Sequence, residues 1–64
     1  MKFRLEIECD NDAFAHDLDA EIVRVLRRAA ELVRHGVASE YRHPLRDANG
    51  NEVGFFVLRE EETP

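Results

Sequence analysis

Residues 47–51 read Asp47-Ala48-Asn49-Gly50-Asn51 and lie between two segments that alternate in polarity, residues 41–46 and 52–59. Gly50 can take a positive φ without steric cost, and the side chains of Asp47 and Asn49 can bond the nearby backbone. The stretch therefore predicts a β-hairpin whose type I turn is closed by a left-handed glycine.

The segment before this hairpin alternates strictly between apolar and charged residues. Over residues 2–9 one face carries Phe3, Leu5, Ile7 and Cys9, and the other carries Lys2, Arg4, Glu6 and Glu8. This pattern is typical of a half-buried strand. The polar run 10–12 then ends the strand, and residues 13–16 form either a loop or an early helical turn, with Phe14 tucked under the sheet.

A helix follows, because apolar residues recur at a spacing of three and four through residues 18–33. Its apolar face consists of Leu18, Ile22, Val25, Leu26, Ala29, Leu32 and Val33. Asp17 is the expected N-cap, Asp19 and Glu21 lie near the positive end of the helix dipole, and Gly36 ends the helix.

The third strand is apolar on both faces, which is typical of a central strand, whereas Pro44 places the second strand at an edge. We therefore predict an α+β fold with the element order β-α-β-β, a three-stranded antiparallel sheet in the order 1-3-2, and the helix packed on one face.

Two arrangements of the third strand remain open. In the first, Phe56 and Leu58 face the helix, and Gly54 allows the helix to approach closely. The opposite, open face then carries Val53, Phe55 and Val57 together with Lys2 and Arg4. In the second, a bulge near Gly54 inverts the faces and leaves Phe56 and Leu58 outside. Both arrangements predict an exposed apolar patch, of the kind that marks association surfaces.

The length and net charge of the chain indicate its domain count and disfavour some classes of partner. Sixty-four residues make one small domain, residues 1–64, with an acidic tail at 60–64. The net charge of −5 disfavours nonspecific attraction to nucleic acid and to anionic membranes. The sequence has neither a signal-peptide pattern nor a membrane span, so we expect a cytoplasmic protein.

No catalytic, cofactor or metal site is predicted. His16, His35 and His43 do not share ligand spacing, and Cys9 fits a core-packing role. We therefore expect no enzyme activity and no cofactor. Since a core of this size supplies only about 3–5 kcal/mol of net stability, homodimerisation is an open possibility.

Partner-binding candidates fall into two groups. Arg24, Arg27, Arg28 and Arg34 form a basic ridge on the outward helix face, which is either a solvated face paired with Glu31 or a patch that grips carboxylates or phosphates. The other group consists of aromatic anchors, Tyr41, Phe55 and Phe56. Acidic residues around the first strand's end and the helix start could steer the approach to a basic partner.

Two stretches, residues 7–14 (IECDNDAF) and residues 45–54 (LRDANGNEVG), are joined by the arginine-rich helix. In this combination the chain resembles small, uncharacterised proteins encoded by bacteriophages and prophages. The resemblance implies a module that binds and blocks a host protein complex by steric occlusion, such as an inhibitor of CRISPR effectors. The alternatives are a nucleic-acid-binding or regulatory domain that uses the arginine ridge, and a structural homodimer built by sheet-face packing.

Overall fold

The structure is a computed structural model that describes residues 1–60. Three strands and two helices follow one another along the chain: β1 (Lys2–Ile7), α1 (Asp12–Ala15), α2 (Leu18–Arg34), β2 (His43–Arg46) and β3 (Glu52–Arg59). The strands form one sheet in the order β1-β3-β2, with both neighbouring pairs antiparallel. The predicted α+β fold and its strand order are confirmed.

The turn between β2 and β3 forms as the sequence predicts. The Gly50 amide donates to the Asp47 carbonyl at 3.0 Å, and the Asp47 amide donates to the Asn51 carbonyl at 2.9 Å. Gly50 has a φ of +84°, in the left-handed region that disfavours side chains. The hairpin is therefore closed by the expected glycine.

The sequence predicts that strand β2 begins at Tyr41, but it begins at His43. The Ser39 hydroxyl oxygen lies 3.3 Å from the Tyr41 amide nitrogen and 3.4 Å from the Tyr41 carbonyl oxygen. Such local contacts from a serine compete with strand pairing. They bend residues 40 and 41 away from a strand conformation, so the ladder with β3 starts two residues late. Pro44 lies on this edge strand, opposite Phe55.

Both ends of α2 follow the sequence signals. The Asp17 carboxylate accepts a hydrogen bond from the Ala20 amide at 3.1 Å, as an N-cap does. At the other end Gly36 has a φ of +82° and donates to the Val33 carbonyl. The open choice for residues 13–16 is resolved as a short helix, α1, and its Phe14 is buried in the core.

The core lies between α2 and the sheet. Its buried residues are Phe14, Val25, Ala29, Leu45, Val53 and Phe56. Phe56 lies opposite Leu5 of β1, and its ring stacks on Phe3 with the centroids 5.8 Å apart. Phe56 and Leu58 therefore face the helix side, as in the first of the two predicted arrangements.

A β-bulge in β3 moves the side chain of Val53 from the predicted open face to the core side of the sheet. Leu45 pairs with Gly54 and Arg46 pairs with Glu52, so Val53 is an extra residue on β3. A bulged residue changes the local alternation of side chains, and Val53 joins the core. The prediction that Val53 lies on the open face is therefore wrong. The bulge does not move Phe56 to the open face, as the second predicted arrangement required.

Gly54 also has a different neighbour from the one predicted. A Cβ at this position would overlap the backbone carbonyl oxygen of Glu6 and lie 2.9 Å from its carbonyl carbon. The close approach is therefore to strand β1, not to the helix.

The predicted apolar patch on the open face is absent from the described residues. Val57 is only 3% exposed and Phe55 is half-buried, because long cationic side chains surround them. The exposed apolar side chains that border the core lie on the helix side, where Phe3 is 47% and Leu26 43% exposed. The apolar stripe of α2 is therefore only half covered.

Glu60 is exposed, and the rest of the predicted acidic tail, residues 61–64, lies outside the described residues. Neither helix within residues 1–60 has the length and apolar character needed to cross a membrane.

Candidate protein-binding site

One of the four arginines of the ridge, Arg24, has a structural role within the fold. Arg24 contacts Glu21 through two nitrogens, Nε to Oε1 at 2.8 Å and an Nη to Oε2 at 2.9 Å. The same Nη donates to the Arg46 carbonyl at 3.0 Å. Arg24 therefore links α2 to the hairpin through Nε and one Nη, while its side chain stays 45% exposed.

Arg27, Arg28 and Arg34 remain exposed on the helix. Glu31, which the sequence places beside these arginines, instead lies 3.5 Å from His35 Nε2. An ion pair between two exposed side chains contributes little stability. The remaining three arginines thus form a solvated helix face.

The three predicted aromatic anchors have different environments. Phe56 is fully buried in the core, so its assignment as a partner contact is wrong. Tyr41 is 83% exposed. Phe55 is half-buried on the open face, and the Arg42 guanidinium carbon lies 4.2 Å from the centre of its ring, a cation–π geometry. The structure places Phe55 and the helix arginines on opposite sides of the sheet.

Four cationic side chains surround a shallow depression over Phe55 and Val57 on the open face. The depression has a volume of about 100 Å³, and the cations that line it are Lys2, Arg4, Arg42 and Arg59. We call these four cations with Phe55 and Val57 the basic sheet face. Arg4 also lies 3.7 Å from the exposed Glu6 carboxylate, a distance and exposure at which the pair is weak.

Sequence reasoning placed Lys2 and Arg4 on the open face with Phe55 and Val57 but interpreted that face as an apolar patch. Strand alternation places Lys2 and Arg4 on one face of β1, and Arg59 shares the parity of Phe55 and Val57 on β3. Combining the two alternations through the predicted strand order would have gathered three of the cations. Arg42 lies within the predicted second strand, but the bulge between Leu45 and Arg46, which the sequence did not place, changes its register against β3.

Two buried carboxylates hold the hairpin in place, Glu21 from α2 and Asp47 from the turn itself. Glu21 accepts hydrogen bonds from Arg24 and from the Ala48 amide at 2.8 Å. Asp47 accepts bonds from the Asn49 and Asn51 amides, both at 2.9 Å, and from the Asn11 side chain at 3.1 Å. Sequence reasoning gave Glu21 only a helix-dipole role, although its position four residues before Val25 placed it on the apolar face.

The pKa values of both carboxyls are lowered. For Glu21 the main cause is the hydrogen bond from Arg24. For Asp47 burial raises the pKa, but the bonds from Asn51, Asn11 and Asn49 together outweigh it. Both groups are thus held ionised with their oxygens bonded, which suits a structural link and not proton transfer.

We predict that acid destabilises the protein through these two groups. Because their pKa values are lower in the folded state, their stabilisation is complete above the ordinary values of 4.5 for Glu and 3.8 for Asp and is lost as the pH falls through the folded-state values. The urea midpoint, followed by circular dichroism, should therefore fall between pH 5 and pH 3. In the matched variant Glu21→Gln with Asp47→Asn the protein should be less stable at pH 7 and the pH dependence shallower. An equally steep dependence in that variant would contradict the assignment.

No group of metal-ligating side chains occurs among residues 1–60. His43 packs on Phe56, with ring centroids 5.0 Å apart, and Cys9 is half-buried against the core. In the part of the chain that the structure describes, every buried side-chain nitrogen and oxygen has a hydrogen-bond partner. Comparisons of the chain with protein-family models, with curated proteins and with solved structures gave no match.

Proposed function

We propose that the protein is a non-enzymatic protein-binding module whose partner docks on the basic sheet face. The observation that carries the proposal is the arginine stacked on Phe55 together with the three further cations on the same surface. Tyr41 precedes Arg42 in the chain and is 83% exposed. Tyrosine and arginine are enriched among the residues that contribute most to protein interfaces.

The geometry supports binding for a second reason. Phe55 and Arg42 are already in contact, so the flat guanidinium and the ring form a surface that is ordered before a partner arrives. Ordering side chains in advance lowers the entropy lost on association. A partner that presents carboxylates could accept hydrogen bonds from Arg42 and Arg59 while covering the edge of the Phe55 ring.

The charge distribution supports a defined orientation of the partner. The basic sheet face lies on a chain with a net charge of −5, and exposed acidic residues gather between the end of β1 and the start of α2, namely Glu8, Asp10, Asp12, Asp17 and Asp19. Separate regions of opposite sign steer an encounter and fix its register. The partner would meet the cations with an acidic surface and the acidic region with a basic one.

The resemblance to phage and prophage proteins extends this proposal to a biological role. The module would occupy a functional surface of a host protein complex, such as a defence complex of the CRISPR type, and would block it by steric occlusion. Its function in the bacterial cytoplasm would then require binding alone.

A single-stranded nucleic acid is the second candidate. An aromatic ring among cations on an open sheet face is the arrangement that stacks bases and tracks a phosphate backbone. Two features favour a protein instead. Arg42 covers the Phe55 ring, and the net charge repels a polyanion.

A pull-down from bacterial lysate tests the proposal, carried out at low and moderate salt with and without nuclease. We expect the tagged protein to retain a discrete protein after nuclease treatment. The variant Tyr41→Ala with Arg42→Glu should recover at least tenfold less of it, since losing an exposed aromatic and reversing the charge of the cation on Phe55 typically costs more than about 1.4 kcal/mol. The matched control, Arg27→Glu with Arg28→Glu on the helix, should recover an unchanged amount.

Three results would contradict the proposal. Loss of the partner only in the helix control would move the site to the remaining arginine ridge. Recovery of nucleic acid, with no protein left after nuclease, would favour the second candidate. Recovery of no specific partner at either salt concentration would remove the binding function.

A further inference from the structure

Strand β1 is an edge strand, and among residues 1–60 no strand pairs with its outer side. The Glu8 amide donates to the Val53 carbonyl at 2.7 Å, which fixes the alternation of the β1 backbone. In an antiparallel pair the backbone groups of alternate residues point to the same neighbour. The even-numbered residues therefore bond β3, while the amides and carbonyls of Phe3, Leu5 and Ile7 point outward. Within residues 1–60, the one contact seen at these outward groups is a long one from the Cys9 thiol to the Ile7 carbonyl, at 3.8 Å.

An apolar groove accompanies this open edge. It has a volume of about 510 Å³, lies between β1 and α2, and is lined chiefly by Phe3, Leu5, Leu26, Ala30 and Val33. Phe3 and Leu26 keep nearly half of their surface exposed. An unpaired strand edge next to exposed apolar side chains is an association surface that monomeric proteins avoid.

The charges of β1 identify the occupant. On the open-face side of the strand, two cations, Lys2 and Arg4, are followed by two carboxylates, Glu6 and Glu8. The order of signs is reversed when the strand runs in the opposite direction. A second, antiparallel copy of β1 therefore presents a carboxylate wherever the first copy presents a cation.

We propose that the protein forms a homodimer in which β1 pairs antiparallel with β1 of a second copy about a two-fold axis through Leu5. Leu5 then lies opposite Leu5 of the second copy, and Phe3 lies opposite Ile7, all with outward-pointing backbone groups. On the open face Arg4 lies opposite Glu6 and Lys2 opposite Glu8, which gives four cross-strand ion pairs. Opposite charges at directly facing positions stabilise a sheet, and like charges destabilise it.

The neighbouring registers are less favourable. Backbone alternation allows a shift only in steps that keep odd residues opposite odd residues. Moving the axis to Arg4 places the two Arg4 side chains opposite each other, and moving it to Glu6 does the same for the two Glu6 carboxylates. Only the axis at Leu5 pairs every charge with its opposite.

This dimer goes beyond the proposed function, because it uses the strand edge and the groove. On the basic sheet face it pairs Lys2 and Arg4 with carboxylates of the second copy and leaves Phe55, Arg42 and Arg59 uncovered. Two three-stranded sheets would join into one of six strands, and the two grooves would meet across the axis. Covering them gives a small domain the added apolar burial that a core of this size commonly takes from oligomerisation. The two basic sheet faces would become one continuous surface.

Sedimentation equilibrium over a range of protein concentrations tests this register. We expect a reversible dimer for the natural chain. Arg4→Glu alone, or Glu6→Arg alone, places like charges opposite each other twice in the dimer, and each should weaken dimerisation roughly thirtyfold. The double variant Arg4→Glu with Glu6→Arg restores opposite charges and should dimerise as the natural chain does. An equimolar mixture of the two single variants should form a heterodimer.

Circular dichroism checks that each variant is folded, and Leu26→Asp provides an independent test because it alters the groove and not the strand. It should make the protein monomeric without loss of helix signal. A natural chain that stays monomeric up to millimolar concentration would overturn the inference. A dimer that the single charge reversals leave intact, or that the double variant fails to restore, would overturn the register and with it the proposal.

Discussion

Phe56→Ala is expected to leave the protein largely unfolded at room temperature. Phe56 is the largest fully buried side chain, and it contacts rings from β1 and β2, namely Phe3 and His43. Truncating a buried phenylalanine costs about 3–5 kcal/mol. A domain of this size has about the same net stability, so the variant should lose most of its helix signal in circular dichroism without denaturant.

Phe55→Ala is the matched control. The two residues are neighbours in sequence and identical in type, but Phe55 is half-buried on the open face. Its truncation should lower the urea midpoint and leave a folded protein. Equal losses of stability at positions 55 and 56 would contradict the assignment of the faces of β3.

Gly54→Ala is expected to have the second largest effect. The added methyl group would occupy the position of the Glu6 carbonyl oxygen, a backbone atom that cannot rotate away. Strand β1 would have to move off β3 near Gly54 and Ile7, the pair at one end of their ladder. Overpacking of this kind costs about 1–3 kcal/mol and more where the backbone must shift, so denaturant unfolding should show a protein near the limit of stability.

Gly50→Ala separates this steric effect from a backbone one. Gly50 has a φ of +84° and open space around its Cα. An alanine there meets the left-handed penalty of about 1–2 kcal/mol but no overlap. The free energy of unfolding should therefore fall further for Gly54→Ala than for Gly50→Ala, and the reverse order would contradict the close approach of the two strands.

Much of this fold could be predicted because short stretches of the sequence carry clear local patterns. Strict alternation predicts β1, and the spacing of Val25 and Ala29 predicts the helix. The apolar character of both faces of β3 predicts that this strand is central. Each is a local pattern whose period matches one type of structure. The hairpin was predictable because Gly50 accepts a conformation that other residues disfavour.

The errors arose where contacts distant in sequence decide the outcome. Val53 reaches the core only because β2 and β3 slip by one residue, and this bulge depends on both strands. Gly54 was assigned to the wrong neighbour, since the periodicity of one strand does not report which backbone crosses it. The link from Arg24 to the hairpin was not predicted, because its hydrogen bond to the Arg46 carbonyl forms only once the hairpin lies beside the helix.

The site was predicted less well than the fold for the same reason. Sequence patterns assigned exposed charge to the helix, whereas the basic sheet face combines residues from both ends of the chain, Lys2 with Arg59, and a loop residue, Arg42. Tyr41 and Phe55 kept their predicted roles as contacts in the proposal. Phe56 did not, because a residue between two apolar neighbours gives no sequence signal of the face it occupies.

Photo-cross-linking shows whether a protein partner docks on the basic sheet face. A benzoylphenylalanine replaces Tyr41 in one tagged preparation and Arg27 in another, and both are irradiated in nuclease-treated bacterial lysate. We predict a discrete cross-linked protein from position 41 and none from position 27. A cross-link from position 27 alone would contradict the account and place the partner on the helix.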